Sequence, residues 1–259
     1  MERPAIDVES LRSSLSARWP RIDVVEQTSS TNADLIERID PADRTVLIAE
    51  HQVAGRGRFD REWNSPARAG LTFSVLLRPD VPLASWGWLP LLTGTALAEA
   101  VRDETGVQTA LKWPNDLLVG DAKAAGILAQ TAGDAVVIGI GLNVSTTAEE
   151  LPVATATSLQ LAGAERPDRT RLLIAILERL DARAAQWNDC GGDAAACGLD
   201  VAYRSICSTL GTDVRVAAAD GSVVEGRAED LDGFGHLVVR TGEATLVLGA
   251  GDVEHLRPA

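Results

Sequence analysis

The sequence predicts an α+β fold with a mixed, mainly antiparallel sheet and a small all-β unit after it. Three observations lead there. From Leu111 onward the apolar runs lie too close together for helical crossovers, so successive strands are hairpins. Helical periodicity appears before, between and after those runs, most clearly at Leu172, Leu173, Ile176, Leu177 and Leu180. Beyond Gly211 the chain changes to short β-like segments separated by glycine-containing turns, which predicts a small barrel of about fifty residues. The expected division is residues 1–208 and 209–259.

The elements follow in order. Ile22–Val25 reads as a short strand. In T-S-S-T-N-A-D-L-I, Thr31 and Asp34 resemble a capping box, which places Ser29–Asn32 at a helix N-terminus. Thr45–Ala49 is the next strand, and Gln52–Arg61 (Q-V-A-G-R-G-R-F-D-R) is predicted as a loop between it and a buried strand, Leu71–Leu77. Ser85–Glu104 reads as a long helix whose start Pro90 can break, with Trp86 and Trp88 as packing residues. Pro114 bars a helix through L-K-W-P-N-D-L-L, 111–118. Lys123–Thr131 and Val136–Val144 are strands, with glycines at 139 and 141 thinning one face. Thr155–Leu161 is predicted as a short helix, Arg169–Asn188 as a long one and Ala194–Ser205 as another. The small unit carries strands at Val214–Ala217, Val223–Glu229, Leu237–Arg240 and Thr245–Leu248.

At 259 residues the chain can bury a substantial core, and its apolar and charged fractions are ordinary for a soluble protein. The formal net charge of −13 argues against broad nucleic-acid binding. Arginine concentrated on an acidic body suits a small anionic ligand better. The three cysteines, Cys190, Cys197 and Cys207, lack zinc-like spacing and suggest reduced thiols in the cytoplasm, with a Cys190–Cys197 disulfide as the alternative. The N-terminus does not read as a signal peptide, and no run approaches transmembrane length.

The polar groups set in apolar or glycine-rich surroundings are Gln52, Arg56, Arg58, Arg61, Lys112, Asn115, Asp116, Lys123 and Asn143. Arginines and lysines in such number suit phosphate oxygens or a phosphoryl transition state. The Walker spacing, the kinase pattern and the dinucleotide fingerprint are missing. No serine–histidine–acid set and no histidine/cysteine metal cluster is present. His51, His236 and His255 are widely separated and read as structural or exposed. The residues alone therefore leave two readings: an enzyme handling a phosphorylated or adenylated ligand, and an anion-binding or structural protein in which the Arg/Gly run is a solvated turn.

Five motifs in one order narrow this: S-S-T-N at 29–32, Q-x-A-G-R-G-R at 52–58, K-W-P-N-D at 112–116, K-x-A-G-I-L at 123–128 and G-x-G-x-N at 139–143. Together they resemble the biotin–protein ligases, over nearly the whole chain. The resemblance implies a class II synthetase-like catalytic domain with an SH3-like C-terminal barrel. It implies biotin, ATP and Mg2+ as ligands, biotinyl-5′-AMP as intermediate, and a lysine of a biotin carboxyl carrier domain as acceptor. It implies that Ser30, Thr31, Asn32 and Gln52 line a biotin pocket covered by Gly55, Arg56, Gly57 and Arg58. Arg56, Arg58 and Arg61 belong to the loop that holds the adenylate, and Lys123 contacts the reacting carboxylate and phosphate. Lys112, Asn115, Asp116 and Asn143 match the region for ATP phosphates, with Asp116 and Asn143 toward the metal. Trp63 matches a tryptophan near the adenine, and Gly126, Gly139 and Gly141 match places of close backbone approach. Lys123, Arg58, Lys112 and Asp116 are the expected catalytic set.

Two departures stand out. Asp60 occupies the last glycine position of the loop, where it can alter mobility or partly neutralise an arginine. Ala124 replaces a common leucine. The stretch before Ile22 is too short for a DNA-binding winged helix, so a ligase without repressor function is expected. The rival within the fold is a lipoate or octanoate ligase or transferase; the rival outside it is a non-catalytic binding module.

Overall fold

The structure is a computed structural model describing residues 3–38, 42–217, 221–242 and 244–256. It opens with a helix that the sequence reading did not anticipate, α1 (Val8–Leu15). Asp7 caps it by accepting from the N–H groups of Glu9 and Ser10, and Leu11 and Leu15 form its buried stripe. Then follow β1 (Arg21–Thr28), α2 (Thr31–Glu37), β2 (Thr45–Arg56), β3 (Glu62–Ser65), β4 (Gly70–Leu77), α3 (Trp88–Thr105), β5 (Ala110–Lys112), β6 (Asp116–Val119), β7 (Ala122–Ala132) and β8 (Ala135–Asn143). After a long connection come α4 (Arg169–Asp189), α5 (Leu199–Ile206), β9 (Asp213–Ala217), β10 (Val223–Leu231), β11 (Leu237–Thr241), β12 (Ala244–Leu248) and β13 (Asp252–His255).

The main sheet has the order β1-β2-β4-β8-β7-β6-β5, with β3 paired to β2. Among these strands only β1 and β2 run parallel; the other pairs are antiparallel, and from β5 to β8 they are the hairpins that the short gaps predict. Alternation along the strands separates two faces. Val136, Ile138, Ile140 and Leu142 join the large core beneath α1, α3 and α4. Val137 belongs instead to a small cluster with Leu35 of α2. Gly139, Gly141 and Asn143 continue Val137's side of β8, so glycine thins the face away from the large core.

Several expected elements differ. Gln52–Arg56 is not loop: β2 runs through it and pairs with β3, Gly55 opposite Trp63. Gly55 is required there, because a β-carbon would meet the Gln52 amide and, at 2.5 Å, the Trp63 carbonyl. Only Gly57–Arg61 forms the hairpin tip; the Asp60 side chain lies outside the described residues. The cap of α2 is Ser30, whereas Asp34 engages the Thr28 hydroxyl at 2.6 Å. Pro90 sits in the first turn of α3, where its missing N–H costs no helical hydrogen bond. Thr155–Leu161 is not helical. Its backbone joins the sheet: Lys123 N–H donates to the Thr155 carbonyl, Thr157 N–H to Lys123, and Leu159 N–H to Asn143. All three cysteines are free, so the alternative Cys190–Cys197 bridge is not formed.

The SH3-like barrel is overturned. The C-terminal unit is an open antiparallel sheet of order β12-β11-β10-β9-β13, and its edges β12 and β13 do not pair. Val214, Val216, Ala228, Leu231, Leu237, Val239 and Val253 merge with the large core instead of enclosing one of their own. Two tryptophans of the larger unit cover them, Trp88 donating to the Gly233 carbonyl and Trp113 to that of Gly235. A sheet whose apolar face is sealed by a neighbour has no need to close.

Candidate active site

On the thinned face lies a cavity of about 870 Å3. A second hollow of about 840 Å3 beside α1, lined by Glu9, Arg12 and Arg21, contains none of the predicted site residues. The cavity is walled by α2, the β2–β3 hairpin, the β5–β6 hairpin, the start and centre of β7, the second half of β8, and β13.

One wall is a closed hydrogen-bond network. Ser30 caps α2, which brings Thr31 and Asn32 onto the sheet. Thr31 N–H donates to Gln52 Oε1 at 2.9 Å. Ser74 Oγ donates to Asn32 Oδ1 at 2.6 Å and stands 2.7 Å from Thr31 Oγ1. Asn32 Nδ2 donates to the Leu128 carbonyl and to Gln130 Oε1. Thr31, Asn32, Gln52 and Ser74 are all buried, and such groups hold their places because each has a partner. Ser74 was not among the predicted site residues.

The opposite wall carries charge. Lys112 and Asp116 face each other across the β5–β6 hairpin. Lys123 Nζ lies 2.6 Å from Asp116 Oδ1. This is an ion pair without hydrogen-bond alignment, since that buried oxygen has no hydrogen-bond partner among the described residues. Lys123 also stands over the Trp63 ring, 5.7 Å from its centroid. Asn115 locks to β7: its side-chain Nδ2 donates to the Ile127 carbonyl and its backbone carbonyl accepts Ile127 N–H. Asn143 Nδ2 donates to the Thr157 carbonyl.

The floor between them is glycine, and side chains lie directly on it. A β-carbon on Gly139 would collide with Asn32 and one on Gly141 with the Trp63 indole; on Gly126 it would come within 3.4 Å of Trp63. Trp63 Nε1 is buried with no hydrogen-bond partner among the described residues.

The hairpin tip forms the rim. Gly57 N–H donates to the Arg61 carbonyl at 2.6 Å. Phe59 adopts a left-handed conformation (φ 54°, ψ 40°) and is exposed, with the Arg58 guanidinium 5.3 Å from its ring centroid. Burial lowers the pKa of Arg58 below its ordinary value, and Asp116 and Asp252 oppose the shift. Arg61 pairs with Asp252 of β13.

Every predicted site residue except Gly55 lines this cavity. Gly55 sits in the hairpin above it. Sequence reasoning missed Phe59, Asp121, Val153, Thr155 and the segment Gly251–His255, all of which line it too. His255, expected to be structural or merely exposed, is on the cavity wall. Nothing in Asp-Val-Glu-His marks it: the fold alone carries β13 there.

A cavity with a neutral hydrogen-bonding wall, a wall carrying two lysines and a glycine floor suits the class of proteins that hold a small polar molecule beside a polyanion. The profile of the Biotin/lipoate A/B protein ligase family matches residues 22–143, and that of the Biotin protein ligase C terminal domain matches residues 209–256. The chain is 45% identical to the biotin–[acetyl-CoA-carboxylase] ligase of Mycobacterium tuberculosis, over 98% of this chain and 97% of that one. It is 32% identical to the bifunctional ligase/repressor BirA of Bacillus subtilis, over 90% of this chain and 72% of that one. Among solved structures, the biotin protein ligase from Aquifex aeolicus in complex with biotin and ATP superposes with a TM-score of 0.76 at 27% identity, covering 92% of this chain and 99% of that one. The chain belongs to the biotin–protein ligase family.

Proposed function

We infer that this chain is a biotin–protein ligase: it uses ATP to join biotin to a lysine of a biotin carboxyl carrier domain, by way of biotinyl-5′-AMP. The observation that carries the reading is the meeting of a pre-formed neutral wall and a cationic wall around one glycine floor. In the first step a biotin carboxylate oxygen attacks the α-phosphorus of ATP. An O–P bond forms, the bond to pyrophosphate breaks, and the leaving group takes both electrons. In the second step the neutral amine of the carrier lysine attacks the acyl carbon and AMP leaves.

Residue roles are part of the proposal. Thr31, Asn32 and Gln52, with Ser30 capping their helix, would hold the uncharged ring of biotin. Lys123 would bridge the carboxylate and α-phosphate, since two anions approach only where positive charge offsets their repulsion. Lys112 and the tip arginines Arg56, Arg58 and Arg61 would hold the phosphates. Trp63 would rise from the glycine floor to pack near adenine. Asp116 and Asn143 Oδ1, which accepts no hydrogen bond among the described residues, fit Mg2+, which takes one or two protein oxygens beside substrate phosphates. When bound, the metal would neutralise phosphate charge. Closure of the tip would shield the mixed anhydride from water. We assign residues 1–208 to catalysis and 209–259 to an appended unit that also reaches the cavity. We place the protein in the cytoplasm, which three free cysteines fit; among the described residues no helix is long and apolar enough to cross a membrane.

The test is purified protein with ATP, magnesium and an apo carrier domain, offered biotin or lipoate. Biotin is expected to appear on the carrier with release of AMP and pyrophosphate. Transfer of lipoate but not biotin would overturn the reading, and absence of both adenylate and transfer would favour a binding module.

A further inference from the structure

β13 brings His255 to the cavity wall, where its surroundings fix the ring at atomic detail. The ring is partly buried, and its Nε2 lies 3.0 Å from Thr209 Oγ1. Thr209 is fully buried, and its oxygen already accepts the backbone N–H of Trp113 at 3.0 Å. A threonine hydroxyl has one hydrogen, and its neighbours are Nε2 and the Cys207 sulfur, of which the imidazole nitrogen is the stronger acceptor. Nε2 is therefore the acceptor, and in the neutral ring the proton resides on Nδ1. Among the described residues Nδ1 has no hydrogen-bond partner. Burial, and then the nearby Lys112, lowers the His255 pKa, with Asp121 opposing, so the neutral ring is the favoured form. Lys112 lines the same cavity. With Nε2 engaged by the Thr209 hydroxyl, the ring is poorly placed to take up a proton there and well placed to donate from Nδ1. An N–H donor near an ammonium suits a group with several anionic oxygens.

We propose that His255 binds the phosphate chain of the nucleotide through Nδ1–H, in concert with Lys112, so that the C-terminal sheet helps to position ATP. The inference rests on the ligase reading. Its test uses the full chain and two separate ligands: a non-hydrolysable ATP analogue titrated by calorimetry, and biotin titrated by tryptophan fluorescence. His255→Ala is expected to weaken the analogue about tenfold, as for loss of one hydrogen bond to a charged group, with biotin affinity changed less than twofold and an unchanged melting temperature. In pyrophosphate release it raises KM for ATP by a similar factor and leaves kcat within about twofold. His255→Asn, whose amide N–H can occupy the Nδ1 position, recovers most of the loss; His255→Gln, which mimics the Nε2 side, does not. Unaltered analogue binding in His255→Ala overturns the proposal. So does equal loss in all three variants, or a loss shared with biotin binding and melting temperature. Analogue binding by the parent chain with no pyrophosphate release would defeat the ligase reading while leaving the phosphate contact to be judged by calorimetry.

Discussion

One wall of the cavity and its rim differ in how they are held. The wall of Thr31, Asn32, Gln52 and Ser74 is buried, and its side chains are tied to one another or to the β7 backbone. In the tip Gly57–Arg61, Phe59 and Arg61 are exposed while Gly57 and Arg58 are half-buried, Phe59 is left-handed, and Arg61 pairs with Asp252, both surface groups. A neutral ring can be recognised by a rigid surface because matched donors and acceptors need no rearrangement. Polyanions that must be enclosed and later released need a wall that moves, and moving elements come from the weakly held part of a structure. With the roles proposed above, the difference divides recognition and enclosure between this wall and the rim.

The largest effect is expected at Lys123, which belongs to neither class: it is ordered by Asp116 yet aimed at the reacting atoms in the proposed mechanism. Lys123→Ala should cut biotin-dependent pyrophosphate release by a factor on the order of 100 to 1,000, the scale of losing one charge-stabilising group. Biotin binding should change little, because the rigid wall is intact. Near-normal pyrophosphate release would remove Lys123 from the mechanism.

Gly139→Ala attacks the rigid wall. The new methyl collides with Asn32, which must then leave Ser74, Leu128 or Gln130. Biotin affinity should fall about tenfold or more, the effect of unpairing buried polar groups. ATP-analogue binding should hold. Equal weakening of both ligands would show that the walls are not separable.

Arg58→Gly attacks the rim. Biotinyl-adenylate should form but escape, labelling free lysines on bystander proteins several-fold faster than the parent does, an approximate figure drawn from the gating role of such loops. Retention of the intermediate as tight as in the parent would place closure elsewhere.

The same division governs what the sequence revealed. Gln52–Arg58, Lys112–Asp116 and Lys123 were legible because charged and amide groups in apolar or glycine-rich surroundings need a reason to be there, and each motif is contiguous. β13 was not, because Val253 is its only buried apolar residue and its place on the cavity follows from pairing with β9. Thr155–Leu161 passed for a helix because backbone pairing with Lys123 and Asn143 leaves no trace in side-chain periodicity. The strand within Gln52–Arg56 was hidden by Gly55, a residue type depleted in strands, which here pairs with Trp63. An open sheet was read as a barrel because both share short strands and glycine turns. The residues that share a core with the open sheet, Trp88 and Trp113 among them, lie far off in sequence.

The smallest expected effect probes whether the tip is as loosely held as its exposure suggests. Arg61 and Asp252 are 58% and 45% exposed, so water screens them and both side chains lose rotamer freedom on pairing. A double-mutant cycle of Arg61→Ala and Asp252→Ala, read by denaturant unfolding, should give a coupling of about 0.2–1 kcal/mol. It should shrink further in high salt. If the coupling instead exceeded about 2 kcal/mol and persisted in salt, the pair would behave as a buried one. The tip would then be fixed to the C-terminal sheet before any ligand arrives, and the contrast between a rigid wall and a closing one would fail at its weakest contact.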